Sequence, residues 1–275
     1  MYNKKHCSPV SNKNDNKISC LNERLIKKIA KILDIKTDTS LKVIHKNISN
    51  KVKKISKCES EYCWFTIDKI INKLNDKELN EIKGLYKPIM PKKWLSNPRE
   101  WLNTLDIEKV LNQYAKANKD FYFYGAMPSD YDNTEVCDIY KLCKINIKNH
   151  IKKGIKKIGI VFNTDENDEP GEHWVCIYID LIGKNSGYPS IYFFDSVGKP
   201  PQKNIQKAID LIRKQKKLNY YYNDIKHQKK NTECGVYCIH FITSMINGIK
   251  FSKYIKNIKN DDYMYKYRYF FFNKI

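Results

Sequence analysis

Apolar residues in this chain follow one period in its first hundred positions and a mixture of periods afterwards. Between Leu21 and Ile35, the residues Leu21, Leu25, Ile29 and Leu33 recur every fourth position, and Ile26 and Ile32 widen the stripe. That spacing predicts an amphipathic helix. The stretch "TIDKIINKLNDKELNEIKGLY" continues the pattern through Ile67, Ile70, Ile71 and Leu74 and is expected to end near Gly84. Three prolines in "KPIMPKKWLSNP" then interrupt it, which predicts a boundary. Residues 1–97 read as a helical, lysine-rich arm and 98–275 as a second domain. Residues 1–18 are polar and expected to be loose.

The second domain mixes periods. Asp106–Ala117 reads as a helix, and "FYFYGAMPSDYD" as an aromatic loop. "KIGIVFN" is a short β-branched run, hence a buried strand. "HWVCIYID" alternates, placing His173, Val175, Ile177 and Ile179 on one face, and "SIYFFD" does so with Ile191, Phe193 and Asp195. A helix with Ile205, Ile209 and Ile212 at helical spacing follows a proline pair, then the tyrosine-rich strand "YYYNDI", then an amphipathic run opening in "NTECGVYCIHFI". Strands and helices in this order predict an α+β fold, a mixed central sheet flanked by helices, with the helical arm ahead of it.

Composition narrows the function classes. No apolar run approaches the ~18 residues of a membrane span, so no membrane insertion is expected. The first residues lack the apolar core of a secretory signal, which predicts a soluble, cytoplasmic protein. The net charge of +21 is spread, with +12 in residues 1–100 and +9 in the rest, nearly all of it lysine. Scattered lysines predict non-specific nucleic-acid association rather than sequence reading. The nine cysteines are odd in number and suit a reducing compartment. Cys58/Cys63 and Cys137/Cys143 lack the two-residue spacing of a zinc knuckle. Cys7, Cys20, Cys58, Cys63, Cys137 and Cys143 are therefore expected to be ordinary thiols, with no metal and no cofactor.

Chemistry concentrates in three places. The segment from Asp180 to Ser190 carries glycine and proline turn signals, so the two alternating strands are expected to form an antiparallel hairpin. The start of one strand then lies beside the end of the other, bringing His173 to Asp195. Cys234 and Gly235 stand where the last apolar helix begins, at a position that usually carries Ser, Thr, Asp or Asn. Helix N-termini favour negative charge and depress thiol pKa values. A histidine held by a carboxylate plus such a cysteine is the machinery of a thiol hydrolase. The backbone N–H groups of Cys234 and Gly235, with the amide of Gln228, are candidate oxyanion donors. Gly235 also leaves room for a reacting carbonyl. Cys238 and His240 read as packing residues, and His227 as a neighbour only. The acidic run "DENDEPGE" before His173 reads as a solvated loop or a contact for basic substrate.

"GEHW", "FFDSVG" and "HQKKNTECG" resemble the His-Trp, Asp/Asn-Ser and Gln-x5-Cys-Gly motifs of the SUMO-protease and adenovirus-protease superfamily of cysteine proteases. The likeness covers nearly all of residues 98–275. It implies catalytic roles for His173, Asp195, Gln228 and Cys234, and a substrate channel roofed by Trp174. It further implies a virus-encoded endopeptidase that processes structural polyproteins after Gly-Gly, acting in the host cytoplasm and the virion core. Two other readings stand beside it. One is an isopeptidase that removes a ubiquitin-like protein; the other is a basic nucleic-acid-binding virion core protein with a vestigial fold.

Overall fold

The chain divides after Ile89, ahead of the 97/98 boundary expected from the prolines. The structure is a computed structural model in which residues 6–11, 18–257 and 260–274 are described. It falls into two units, Met1–Ile89 and Met90–Ile275. Residues 90–97 go with the second unit because the Met90 N–H bonds the Asn273 carbonyl at 2.9 Å and Trp94 is buried in that unit's core. The loose stretch expected over 1–18 lies outside the described residues except for 6–11 and 18.

The first unit is helical: α1 (Glu23–Ile32), α2 (Leu41–Ser56), α3 (Asp68–Ile71) and α4 (Asp76–Leu85). The predicted stripe of α1 is buried, and Asn22 caps the helix by accepting the Leu25 N–H. The single helix expected from Ile67 to Gly84 is instead two. Asn75 and Glu78 form a reciprocal capping box that starts α4 afresh, which satisfies free N–H groups a continuous helix would not have. Helix α2 was not anticipated, although Ile44, Ile48 and Val52 line its buried side.

The second unit opens with α5 (Thr104–Ala117), β1 (Phe121–Met127), α6 (Thr134–Tyr140), α7 (Ile147–Lys152) and β2 (Lys157–Asn163). It continues through β3 (Trp174–Asp180), β4 (Ser190–Phe194), α8 (Lys203–Gln215), β5 (Asn219–Tyr222), α9 (Cys234–Ile246), α10 (Phe251–Lys256) and α11 (Asp261–Phe271). The strands form one mixed sheet in sequence order. The central pairs β2–β3 and β3–β4 are antiparallel, and the outer pairs β1–β2 and β4–β5 are parallel. "FYFYGAM", expected as a loop, is therefore an edge strand. Its aromatic alternation is strand-like, but a register shift between Phe123 and Ala126, where Gly125 adopts φ +125°, breaks the pattern.

Helices cover both faces of the sheet. Val175, Ile177 and Ile179 of β3 join Ile205, Ile209 and Ile212 of α8 in one core. Trp174, Cys176 and Tyr178 join Ile107 and Leu111 of α5 and Val236, Ile239 and Phe241 of α9 in the other. Helix α9 is apolar on nearly every side because it is enclosed between α5, α11 and the sheet.

The expectation of unpaired thiols fails for six cysteines. Cys7 pairs with Cys20, Cys58 with Cys63 and Cys137 with Cys143, at Cα separations of 5.2, 6.1 and 5.6 Å. The last two pairs are local, five and six residues apart, so a turn or helix end brings each together without any framework spacing that the sequence would display. Cys176, Cys234 and Cys238 remain free and buried.

Candidate active site

Cys234 is the first residue of α9, and its position is set from the residue before it. Glu233 occupies the N-cap but does not cap with its side chain. Its carboxylate turns inward to Arg268 of α11, Oε2 to Nε at 2.6 Å, with both side chains fully buried. A second arginine, Arg99, reaches the other oxygen at 3.3 Å. Arg268 also donates to the Thr232 carbonyl at 2.8 Å and to the Glu100 carbonyl, and its guanidinium lies 4.7 Å from the centre of the Trp94 ring. Every charge in this cluster is matched, as burial at that depth requires. The turn that presents the thiol is thus clamped to α11.

The hairpin of β3 and β4 brings the other two candidates together. Cys176 pairs with Phe194 at the end of the ladder, and just beyond it His173 Nε2 meets Asp195 Oδ1 at 2.7 Å. The same carboxylate accepts the Val197 N–H at 2.9 Å and the Lys199 N–H at 3.3 Å, so it is held by its own turn. Its carbonyl takes the Asn223 amide at 2.7 Å. With Nε2 committed to Asp195, Nδ1 is the nitrogen left for Cys234, which lies near enough to raise the ring's pKa. Burial disfavours the charged ring, but the bond to Asp195, the interaction with Cys234 and the two negative charges outweigh it and lift the His173 pKa to about 9. The imidazole is therefore protonated at neutral pH.

Gln228 is buried beside them. Its Oε1 accepts from Ser196 Oγ at 2.7 Å, and its Nε2 donates to the Lys230 carbonyl at 2.5 Å. A primary amide has two N–H bonds, so one remains beyond that contact. Asp261 fastens the same loop by accepting the Lys229 and Lys230 N–H groups at 2.9 and 3.1 Å. Gly235 has a packing reason of its own. A Cβ there would stand 3.1 Å from Leu102 Cβ and 3.4 Å from Ile107 Cδ1 of α5, so glycine suits the close approach of α9 to that segment.

Trp174 is buried, donates its indole N–H to the Leu102 carbonyl at 2.8 Å, and lines a cavity of 470 Å³ with Leu102, Tyr140 and Gly171. His227 stacks on Phe194, and burial lowers its pKa to about 4. His240 bonds the Tyr254 hydroxyl at 2.8 Å. Cys238 is deeply buried, which pushes its thiol pKa up. Sequence reasoning thus named the histidine, the carboxylate, the thiol and the glutamine that the fold brings together. It missed Glu233, Arg268 and Asp261. The only signal of them was an acid beside the cysteine and a lone arginine in a tyrosine-rich segment.

The sequence matches, over residues 99–267, the profile of the family described as YopJ serine/threonine acetyltransferase. A thiol protease of Acanthamoeba polyphaga mimivirus is 33% identical over 235 residues, 83% of this chain and 72% of that protein. A cysteine protease of African swine fever virus (isolate Tick/Malawi/Lil 20-1/1983) is 24% identical over 272 residues, 92% of this chain and 90% of its own. A crystal structure of the African swine fever virus protease superposes with a TM-score of 0.71 at 21% identity, covering 100% of this chain and 98% of that one. The shared fold therefore includes the helical first unit.

Proposed function

The chain belongs to the YopJ serine/threonine acetyltransferase family of the matching profile and, like its viral thiol-protease relatives, is a cysteine protease; from that premise we propose that it is an endopeptidase cleaving viral structural polyproteins after Gly-Gly. Cys234 is the nucleophile, His173 the acid and base, and Asp195 the acceptor that orients the ring. The thiolate attacks the scissile carbonyl. The N–H groups of Cys234 and Gly235 and the free amide N–H of Gln228 take up the developing oxyanion. The His173 imidazolium then protonates the leaving amine, and the neutral ring draws a proton from the water that hydrolyses the thioester.

The observation that carries this reading is the His173 ring, bonded to Asp195 at 2.7 Å and near enough to Cys234 for that thiol to help raise the ring's pKa. The preference for Gly-Gly is what the likeness of the His-Trp and Gln-x5-Cys-Gly motifs implies. Acetyl transfer, the activity in the family's name, begins with the same thioester chemistry and differs in its acceptor, a hydroxyl in place of water. The proposed place of work is the host cytoplasm and the virion core, and a net charge of +21 would favour non-specific association with nucleic acid there. Among the described residues no helix is long and apolar enough to cross a membrane.

The test is a panel of Gly-Gly-Xaa peptides, a structural polyprotein, an isopeptide-linked ubiquitin-like conjugate and an acetyl donor, each with wild type and Cys234→Ala. Cleavage of peptide and polyprotein by wild type alone supports the reading. Action on the conjugate alone, or acetyl transfer without hydrolysis, would overturn it.

A further inference from the structure

Glycine at a scissile bond offers no side chain to read, so discrimination between Gly-Gly sequences has to come from residues further along the substrate. The cavity beside Trp174 has the composition for that task. Trp174 follows His173 in the chain, and Leu102, bonded to the Trp174 indole, packs against Gly235, the neighbour of Cys234. The cavity therefore shares Trp174 and Leu102 with the surroundings of the reacting pair, although neither His173 nor Cys234 lines it. One wall is apolar and open to solvent: Trp101 is 38% and Ile139 65% exposed. The other wall is acidic, formed by Glu166 and Glu169.

The chain holds 51 lysines and arginines, and among the described residues neither glutamate forms an ion pair with any of them. Glu166 accepts only the Asn204 amide at 3.1 Å, and Glu169 the Glu166 N–H at 2.9 Å. Of the other acids lining the cavity, Asp106 is committed to capping α5 and Glu100 accepts the Asn97 amide at 2.7 Å. Nor is the acidic loop adrift. Thr164 N–H bonds the His173 carbonyl, Ser129 N–H the Asp165 carbonyl, and Gly171 N–H the Asp165 carboxylate, at 2.8, 2.9 and 3.1 Å. Gly171 sits at φ +86°, and a Cβ there would stand 2.5 Å from the Asn163 amide. The acids are held beside an exposed indole and an exposed isoleucine, which matches the two ends of a lysine or arginine side chain: an apolar stem and a charged head.

We infer that this cavity is a specificity subsite that takes a basic side chain of the substrate polypeptide near the scissile bond, its stem against Trp101 and Ile139 and its head between Glu166 and Glu169. The inference rests on the endopeptidase reading above. Two partly exposed ion pairs amount to roughly a tenfold preference for a basic over a neutral side chain. The preference shrinks as salt rises.

The experiment uses the full-length protein and Gly-Gly peptides in which each residue flanking the cleaved bond is in turn Lys, Gln or Glu. One position is expected to show kcat/KM about tenfold higher for Lys than for Gln, chiefly through KM. In the E166Q/E169Q protein that Lys-to-Gln ratio should fall to near one, and in E166K/E169K it should favour Glu. Wild type with no lysine preference at any position overturns the inference, as does a preference that survives E166Q/E169Q. Fluorescence anisotropy with Cys234→Ala protein separates this inference from the endopeptidase reading. There the Lys peptide should bind about tenfold tighter than the Gln peptide, and equally once E166Q/E169Q is added. Equal binding from the outset sinks the subsite even if Gly-Gly peptides are cleaved. Cleavage failing while the binding preference holds would fault the reading and leave the subsite standing.

Discussion

Asp195→Asn separates a charged ring from a neutral one. Asp195 Oδ1 accepts from both His173 Nε2 at 2.7 Å and the Val197 N–H at 2.9 Å, while Oδ2 takes only the long Lys199 N–H contact at 3.3 Å. An asparagine oxygen in the Oδ1 place keeps the two short bonds, and its amide group then faces the Lys199 N–H. What disappears is chiefly the negative charge. Hydrogen bonds to charged groups contribute about 1.5–3 kcal/mol and neutral ones about 0.5–1.5, so the loss should be on the order of 1–1.5 kcal/mol. That is about a fivefold to tenfold fall in kcat/KM, by roughly the factor of ten per 1.4 kcal/mol. Triads that work through a neutral imidazole lose about 10⁴ on the same change, because the ring is then held in the wrong tautomer. Here the His173 pKa of about 9 keeps both ring nitrogens protonated at neutral pH, so an acceptor without charge still serves. Asp195→Ala leaves no acceptor and should lose more. Removing the carboxylate also removes part of what holds the histidine pKa up, so the alkaline limb of the pH profile should move to lower pH. The assay is kcat/KM on one peptide from pH 6 to 10 for wild type and both variants. Equal losses for Asn and Ala, an Asn loss near 10⁴, or an unmoved alkaline limb would each refute the reasoning.

Cys234→Ala should abolish cleavage with the fold intact by circular dichroism, since it only trims one atom, and iodoacetamide followed by mass spectrometry should label Cys234 ahead of Cys238, whose burial pushes its thiol pKa up. Arg268→Met should cost about 3–5 kcal/mol in urea unfolding, because it strands the buried Glu233 charge, and Met at both 233 and 268 should recover most of that. Residues 90–275 should give a cooperatively folding fragment, whereas 98–275 lacks the buried Trp94 and should be less stable by about 3–5 kcal/mol. Stability should also depend on His173. Its folded pKa of about 9 exceeds its ordinary 6.5, so the contribution is full below pH 6.5 and lost as pH rises through 9. Wild type should therefore lose up to about 3 kcal/mol across that window relative to His173→Gln, and parallel urea curves for the two proteins would contradict it.

The centre of the site was legible because its geometry follows from a hairpin. Alternation in "HWVCIYID" and "SIYFFD" with a glycine-rich connection is enough to set His173 opposite Asp195, since antiparallel pairing puts one strand's start beside the other's end. Cys234 was legible from the helix start. The supports were not, because nothing in local sequence says that an arginine 35 residues away will be buried against Glu233. Edge strand β1 escaped for another reason: its bulge at Gly125 breaks the two-residue period on which a strand assignment rests. Gly235 was singled out as room for substrate, and its tight packing on Leu102 is a second reason the sequence did not show. The Cys58–Cys63 and Cys137–Cys143 pairs were hidden because short-range pairing leaves no distinctive spacing.

The clamp between Glu233 and Arg268 also has a consequence in time. A chain emerging from the ribosome presents His173 and Asp195 first, then Cys234, and only later the α11 segment 261–271. Until Arg268 has emerged, Glu233 lacks its 2.6 Å partner and has only the longer 3.3 Å contact of Arg99, so the turn carrying the thiol is held less firmly. A nascent chain that already displays its histidine, its carboxylate and its cysteine is therefore expected to lack the last anchor of its thiol-bearing turn until the α11 segment has been made.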